Sequence, residues 1–403
     1  MSIFKNKKKV AIFAVVIAIV LFVGNWFYCN NPFNPYYKVK NLRNLPEGTP
    51  VYIGDNKLFF AGSYSGYYSE NKKDEKITCA SIYDIKKQKN TPLNACMSVP
   101  RRYYIPILLD SNRILVLGGM GKDSPKCNVS KVAEIYDIKE NKFRRIENSK
   151  NAHFNNEQLF YLRDKVFIVK NSILPYAFEI FDIKTEIFKT LNNQEETSIA
   201  LENIQELDNK KFLAVGYGGK DEYLRCIKPE IYKFYYDLQS NKLTKPISVT
   251  RSPWLSEIIK AYDGPCGVNI FNWQSFIDKT GKTNTIFCSR LRYDTKLNCF
   301  KIHHNAEYVE TIGRLNQPRF MAKSINIKNK IYVFGGYSEK WLYIYPIPGI
   351  LPIKRDLRSI EMYNSTTSSW KVIGRLPIQK NRQNLLKIND STMLYGKSLI
   401  IFK

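Results

Sequence analysis

The chain has 403 residues, of which 44% are hydrophobic and 14% aromatic. This length exceeds one small domain and supports a substantial core, and the aromatic content favours β-structure. The formal net charge of +26 suits anionic partners, but the basic residues are spread along the chain, which disfavours nucleic acid.

The N-terminus combines a lysine-rich segment with an uncharged, mostly apolar run. About 20 apolar residues in a helix span a bilayer, and lysines before such a helix keep the N-terminus in the cytoplasm. Trp26, Phe27 and Tyr28 stand where a cleavable signal peptide, the alternative, carries small residues. The predicted segments are a basic cytoplasmic tail (1–9), a transmembrane signal-anchor helix (10–28), a linker (29–35) and an extracytoplasmic domain (36–403).

A short motif recurs six times in that domain: an aromatic residue, then Asp or Asn, then a residue six positions further on that is bulky or apolar in five copies. Its spacing of 45 to 70 residues is typical of a repeat architecture. The copies are Tyr83-Asp84 with Asn90, Tyr136-Asp137 with Phe143, Phe181-Asp182 with Phe188, Tyr236-Asp237 with Leu243, Tyr293-Asp294 with Phe300, and Tyr363-Asn364 with Trp370.

Several copies follow a β-rich run that ends in glycine. The pairs are Gly118-Gly119, Gly218-Gly219 and Gly335-Gly336, and Ala61-Gly62 replaces one of them. β-Branched and aromatic residues before the glycines predict a buried strand. The glycines themselves are typical of a tight strand exit that another backbone approaches closely.

This combination resembles the kelch repeat, in which a double glycine ends the second strand, an aromatic-Asp pair ends the third, and a Trp-like residue opens the fourth. The resemblance covers residues 36–403 and is strongest at 331–376. It implies an all-β fold, a kelch-type β-propeller of four-stranded blades. Candidates for the arginine that the family carries before its first strand are Arg101, Arg251, Arg319 and Arg382.

The two ends of the chain together supply one blade. The C-terminal runs 385–388, 391–396 and 399–402 match its first three strands, while Tyr37-Lys38-Val39 resembles the fourth-strand sequence Trp370-Lys371-Val372. We therefore predict seven blades, the last shared by both termini, with six or eight as alternatives. Closure of this kind removes exposed strand edges.

The sequence offers no metal, cofactor or catalytic set. Of three histidines, His303 and His304 are adjacent on a predicted strand and face opposite sides, so the several-histidine site of kelch-like copper oxidases is excluded. The Asp residues of the repeat are predicted to be turn residues. A carbohydrate-modifying enzyme that resembles the kelch sialic-acid mutarotases remains the alternative, and a buried Glu or His beside an Arg in the central funnel would favour it.

The leading prediction is a membrane-anchored binding platform for a protein or an anionic glycan. Recognition is expected in the long loops between second and third strands, because loops on a rigid scaffold carry most binding functions. The anchor would hold the opposite, short-turn face toward the bilayer. Candidate partner-binding residues are Trp341, Tyr343, Tyr345, Lys354, Arg355, Arg358, Lys122, Lys126, Lys220 and Arg225.

One disulfide is predicted among the eight cysteines. An extracytoplasmic domain permits disulfides. Cys79 and Cys96 would lie nearly opposite each other on the third and fourth strands of the first blade, where cross-strand cysteines meet the required Cα spacing.

Overall fold

A computed structural model describes much of the chain after residue 33. Val16 and Ile17 are helical and about half exposed; the other regular elements described are β-strands. The rest of the predicted 10–28 helix lies outside the described residues, among which there is no helix long and apolar enough to span a membrane. The described residues are 16–17, 34–64, 77–121, 129–154, 157–169, 178–190, 199–206, 211–218, 230–237, 242–243, 247–248, 269–277, 283–290, 297–303, 309–317, 319, 322–343, 350–365, 367–376 and 385–403.

The strands are short and follow one another closely. In the first half they are β1 (Tyr37–Asn41), β2 (Val51–Tyr52), β3 (Lys57–Phe60), β4 (Ser63–Tyr64), β5 (Ile77–Thr78), β6 (Ser81–Asp84), β7 (Lys89–Pro92), β8 (Arg101–Arg102), β9 (Ile105–Leu108), β10 (Arg113–Leu117), β11 (Met120–Gly121), β12 (Ala133–Asp137), β13 (Lys142–Arg145), β14 (Gln158–Leu162), β15 (Lys165–Val169), β16 (Phe178–Asp182) and β17 (Ile187–Thr190). In the second half they are β18 (Ile199–Glu206), β19 (Lys211–Gly218), β20 (Glu230–Asp237), β21 (Lys242–Leu243), β22 (Ile247–Ser248), β23 (Asn269–Ile277), β24 (Thr283–Arg290), β25 (Leu297–His303), β26 (Val309–Arg314), β27 (Lys323–Ile327), β28 (Lys330–Phe334), β29 (Tyr337–Tyr343), β30 (Ile350–Asp356), β31 (Ser359–Asn364), β32 (Ser369–Arg375), β33 (Leu385–Asn389), β34 (Thr392–Tyr395) and β35 (Ser398–Phe402).

Antiparallel four-stranded sheets recur along the chain, and the all-β propeller arrangement is confirmed. Contacts divide the chain into two units, one of residues 42–312 and one of residues 1–41 with 313–403. The recurring sheets are β2-β3-β6-β7, β9-β10-β12-β13, β14-β15-β16-β17, β18-β19-β20-β21 with β22 beside β20, β23-β24-β25-β26, β27-β28-β31-β32 and β33-β34-β35-β1.

Both ends of the chain meet in one sheet, as predicted. β1 pairs antiparallel with β35, with Tyr37 opposite Phe402 and Asn41 opposite Ser398. The backbone N–H of Lys403 extends this ladder by donating to the Tyr36 carbonyl at 3.0 Å. The fourth strand of this sheet therefore comes from the N-terminal end of the chain. Without it, β35 would present an unpaired edge.

The last residues of the predicted linker 29–35 contact the strand β32. Asn34 is buried and its side-chain amide donates to the Ile373 carbonyl at 2.9 Å. Its Oδ1 accepts the backbone N–H of Tyr36 at 2.8 Å. Residue 34 is thus already fixed against β32 by polar contacts that a loose linker would lack.

The repeated motif sets the register between third and fourth strands. Tyr136 is paired with Phe143, Phe181 with Phe188 and Tyr363 with Trp370, and the ring centroids of these pairs are about 5 Å apart. The following Asp closes the turn. In Asp137, for example, Oδ1 accepts the N–H groups of residues 139 and 140, both at 2.9 Å.

The motif phase predicted for Tyr293-Asp294 is wrong. These two residues fall between β24 and β25, outside the described residues, and Phe300 pairs with Phe287 rather than with Tyr293. This register buries Cys288 and Cys299 completely. Burial of apolar side chains on one face determines strand register, and here it overrides the local motif.

The hydrophobic cores lie between successive sheets. One cluster in unit 42–312 combines Val51 and Phe59 from the first sheet with Tyr136 from the next, and the rings of Phe59 and Tyr136 stack at 4.5 Å. A second cluster packs Leu115 against Phe181 in the same way. Each fully buried large side chain contributes about 1.5–3 kcal/mol, so each sheet depends on its neighbour.

The double glycine at the end of β10 permits close backbone contact. Gly118 has φ +65°, and a Cβ there would lie 2.3 Å from the His153 carbonyl oxygen. The N–H of Gly119 donates to that same oxygen at 2.9 Å. This confirms the role predicted for the glycines, since no other residue leaves this space.

Candidate partner-binding site

A buried ion pair closes the sheet β9-β10-β12-β13. Arg101 lies four residues before β9 and Glu134 lies on β12, and their side chains are 2.6 Å apart with no solvent exposure. Arg101 also donates to the Val116 carbonyl at 3.0 Å, and Glu134 accepts the N–H of Ser98 at 2.7 Å. The second carboxylate oxygen therefore fixes the segment that carries the arginine.

The same arrangement recurs in the sheet β27-β28-β31-β32. Arg319 and Glu361 are 2.5 Å apart and fully buried. Glu361 accepts the N–H of Asn316 at 2.7 Å and that of Gln317 at 3.1 Å. Burial lowers the pKa of the Arg319 guanidinium, and the charge and hydrogen bonds of Glu361 oppose this shift. Arg319 stays charged, because arginine does not lose its proton in proteins.

In the sheet β14-β15-β16-β17 a histidine replaces the arginine. His153 Nε2 lies 2.8 Å from Glu179 Oε2, and Glu179 accepts the N–H of Lys150 at 2.6 Å. In all three sheets the carboxylate accepts the N–H three residues before the cation. In all three the Glu also stands two residues before the aromatic of the repeated motif.

The sequence prediction found only part of this arrangement. Arg101 and Arg319 occupy the expected place before the first strand, whereas Arg251 and Arg382 lie outside the described residues. The partners Glu134, Glu179 and Glu361 were missed, although their fixed position before Tyr136, Phe181 and Tyr363 was a usable signal. No substrate can reach Arg101–Glu134 or Arg319–Glu361 at zero exposure, so both pairs are structural.

The two ends of the sheets differ in their connections. Three described turns between third and fourth strands have four residues each, at 85–88, 138–141 and 183–186. The connections between second and third strands are much longer at 61–80, 118–132 and 335–358. Each of these carries added β-pairing, namely β4 with β5, β11 with β8, and β29 with β30. The described parts of these connections thus have regular β-structure of their own.

The hairpin β29–β30 holds several of the predicted partner-binding residues. Its register runs over seven residue pairs from Tyr337–Asp356 to Tyr343–Ile350, and Trp341 lies opposite Pro352. Trp341 and Tyr343 lie on β29, and Lys354 and Arg355 lie on β30. The other candidates, Tyr345, Lys122, Lys126, Lys220 and Arg225, fall outside the described residues.

The base of this hairpin presents basic groups. Arg355 is exposed and Arg358 is partly buried. The Nη1 of Arg358 is buried and has no hydrogen-bond partner among the described residues. The exposed basic side chain described at this end of the hairpin is thus Arg355.

An exposed aromatic contact at the long-connection end of unit 42–312 was also missed. Tyr103 is 43% exposed and has φ 57°, a conformation rare for a bulky residue. Its ring lies 5.3 Å from that of Phe154 and carries the Arg102 guanidinium at 4.9 Å. Strained, exposed aromatic residues often mark binding surfaces.

Two disulfides occur among the described residues. Cys79 and Cys96 are bonded with Cα atoms 4.3 Å apart, but they lie just outside β6 and β7 rather than within them. The Ala80 N–H, which donates to the Ala95 carbonyl at 2.8 Å, continues the ladder to the cysteines. Cys288 and Cys299 form the second bond, and they face each other across β24 and β25.

These features define the class of the protein as an all-β propeller of repeated four-stranded sheets with a structured loop face. Residues 318–377, which include β27 to β32, match the protein family described as Kelch motif. The kelch resemblance is thereby confirmed at the sheet that holds Arg319 and Glu361. A search among curated proteins found no match.

Proposed function

We propose that this chain is a kelch-type propeller of seven blades that serves as a membrane-anchored, extracytoplasmic binding platform. Its ligand is a protein, or an anionic glycan, held by the connections between second and third strands. Kelch propellers generally mediate protein interactions, and a rigid scaffold that carries structured loops is the common geometry of a binding surface.

The observation that carries this proposal is the β29–β30 hairpin. A connection of 24 residues, 335–358, replaces what could be a short turn, and it is stabilised by its own ladder. Long ordered connections in compact domains are usually functional. The four-residue turns at the opposite end of the sheets offer no comparable surface.

Electrostatics favour an anionic or acidic ligand. The chain carries 62 Lys and Arg against 36 Asp and Glu, and Lys354, Arg355 and Arg358 cluster at the base of the hairpin. Tyr, Trp and Arg are the residue types in which binding energy concentrates. A partner with acidic groups would gain from this charge.

A membrane helix at 10–28 would set the orientation of this surface relative to the bilayer. The helix proposed at 10–28 leads to β1, which is a fourth strand and begins at the short-turn end of its sheet. The short-turn end would therefore face the bilayer and the hairpin would face outward. Cysteines at positions 124 and 366 test this with a membrane-impermeant thiol probe on intact cells. Strong labelling at 124 with protection at 366 is expected, while equal labelling rejects the fixed orientation and no labelling rejects the topology.

Site-specific photo-crosslinking tests the binding surface itself. A photo-reactive amino acid in place of Trp341 should capture a discrete partner in the native membrane. The same group in place of Lys139, which lies in an exposed four-residue turn, is the matched control and should capture none of it. Equal adducts from both positions, or adducts from Lys139 alone, would reject the proposed surface.

A further inference from the structure

His153 differs from its two counterparts in one chemical respect. Arg101 and Arg319 carry a permanent charge, whereas an imidazole titrates near neutral pH. The three side chains nevertheless do the same work, because each holds a buried Glu that in turn binds the N–H three residues earlier. The sheet β14-β15-β16-β17 thus depends on the titratable cation His153, whereas the sheets of Arg101 and Arg319 depend on a permanent charge.

The surroundings of His153 favour its protonated form. Nδ1 lies 2.5 Å from Glu157 Oε2 and Nε2 lies 2.8 Å from Glu179 Oε2. A neutral imidazole has only one N–H donor, so one ring nitrogen would then direct a lone pair at a carboxylate oxygen. The imidazolium form supplies both donors. The side chains of His153, Glu157 and Glu179 are each at most 3% exposed, so water cannot mediate these contacts freely.

The groups that face His153 come from three parts of the chain. Glu157 belongs to its own segment and Glu179 to β16. Among the described residues, the neighbouring sheet and its connection meet His153 through backbone hydrogen bonds: the Gly119 N–H donates to the His153 carbonyl, and the His153 N–H donates to the Ser130 carbonyl at 3.3 Å. Burial lowers the pKa of His153, but the hydrogen bonds and charges of Glu157 and Glu179 outweigh it and raise the pKa above 6.5.

We propose that His153 is a pH-sensitive latch that holds residues 147–154 on the sheet β14-β15-β16-β17 in its protonated form and weakens when it loses the proton. The segment is also held by the N–H groups of Lys150 and Asn151 on Glu179 and by the Ser149 N–H on the Lys131 carbonyl. It also carries Phe154, which contacts the exposed Tyr103. Rising pH therefore loosens one edge of an exposed aromatic surface while the arginine-held sheets stay closed.

The direction of the pH effect follows from the linkage between proton binding and folding. A group whose pKa is raised in the folded state contributes stability that is complete below its unfolded pKa, here about 6.5. That contribution is lost as pH rises through the raised pKa of the folded state. Each pH unit that separates the two pKa values corresponds to about a tenfold change in the local opening equilibrium.

Hydrogen exchange on the full-length protein tests the latch. Protection of amides in 147–154, corrected for the intrinsic pH dependence of exchange, should fall as pH rises from 6 to 9. Peptides that contain Ser98 and Asn316 are internal controls, because their amides are held by Glu134 and Glu361 opposite arginine. Parallel changes in all three peptides, or no change in 147–154, would overturn the proposal.

Two variants separate titration from mere packing. His153→Arg restores the cation of the other sheets and should remove the pH dependence of protection in 147–154. Glu157→Gln removes one carboxylate and should move the transition to lower pH, and it stands as the second test if the arginine does not fit. A pH dependence that both variants leave unchanged would assign the effect to another group.

Discussion

Removal of the Arg319 side chain tests whether the buried ion pairs hold the sheets together. Arg319→Met keeps the length of the side chain but loses the charge and all its donors. Those donors now serve Gly335, Ser359 and Glu361 at 2.5–3.0 Å. The substitution leaves Glu361 as a buried carboxylate without its cation.

The expected loss in the free energy of unfolding is about 3–5 kcal/mol, the usual effect of removing one partner from a buried pair. Glu361 keeps hydrogen bonds from Asn316 and Gln317, which places the expectation near the lower end, about 3 kcal/mol. The double variant Arg319→Met with Glu361→Gln should lose less than the sum of its single variants, because no unpaired charge remains.

Urea titration with hydrogen-exchange readout on β28 and β31 measures this loss in the unit that contains Arg319. The exposed Arg355→Met is the matched control and should change stability by no more than about 0.5 kcal/mol. A loss below about 1 kcal/mol for Arg319→Met, or full additivity in the double variant, would refute the structural role of the pair.

Three further outcomes are expected. Gly118→Ala should destabilise by about 1–3 kcal/mol more than Gly54→Ala in urea titrations, because both have positive φ but only Gly118 meets a backbone oxygen; equal losses would exclude close approach as the cause. Desolvation opposes ionisation of Asp182, but the Thr185 N–H and Lys165 outweigh it and lower the pKa of Asp182 to about 2. The Asp182→Asn variant should therefore be less stable than the parent protein by its full amount above about pH 4, and this difference should vanish as pH falls through 2. A pH-independent difference would contradict it. Mass spectrometry of unreduced peptides should find both described disulfides, and free thiols at all four positions would contradict them.

The sequence was most informative where chemistry and geometry coincide in a few adjacent residues. Tyr37-Lys38-Val39 could be aligned with Trp370-Lys371-Val372 because a fourth strand must place an aromatic opposite the one that ends the third. Together with the three C-terminal runs that lack a fourth strand, that likeness predicted the shared sheet. The turn role of Asp137 was predictable for the same reason, since its hydrogen bonds are local.

Contacts between distant residues were not predictable in this way. The Arg–Glu pairs join residues 33 and 42 positions apart. The fixed position of Glu134 and Glu361 before the motif aromatic marks them as part of the repeat, but it does not identify the partner. The same holds for His153. It is recognised as the counterpart of Arg101 and Arg319 only when its contact with Glu179 is seen in the structure. Register in β24–β25 is determined by buried Cys288 and Cys299, so the local Tyr293-Asp294 pattern predicted it wrongly.

The most direct test of the binding platform is the affinity of the crosslinked partner for a variant without the hairpin. Residues 341–352 are replaced by Asn-Gly, a two-residue turn that closes the ladder at the Lys340–Ile353 pair. A control variant replaces Lys139 and Glu140 in a short turn by alanine. We expect at least about a thirtyfold loss of affinity for the first variant, the effect of one hot-spot residue, and no loss for the second. Unchanged affinity of a folded hairpin variant would contradict it.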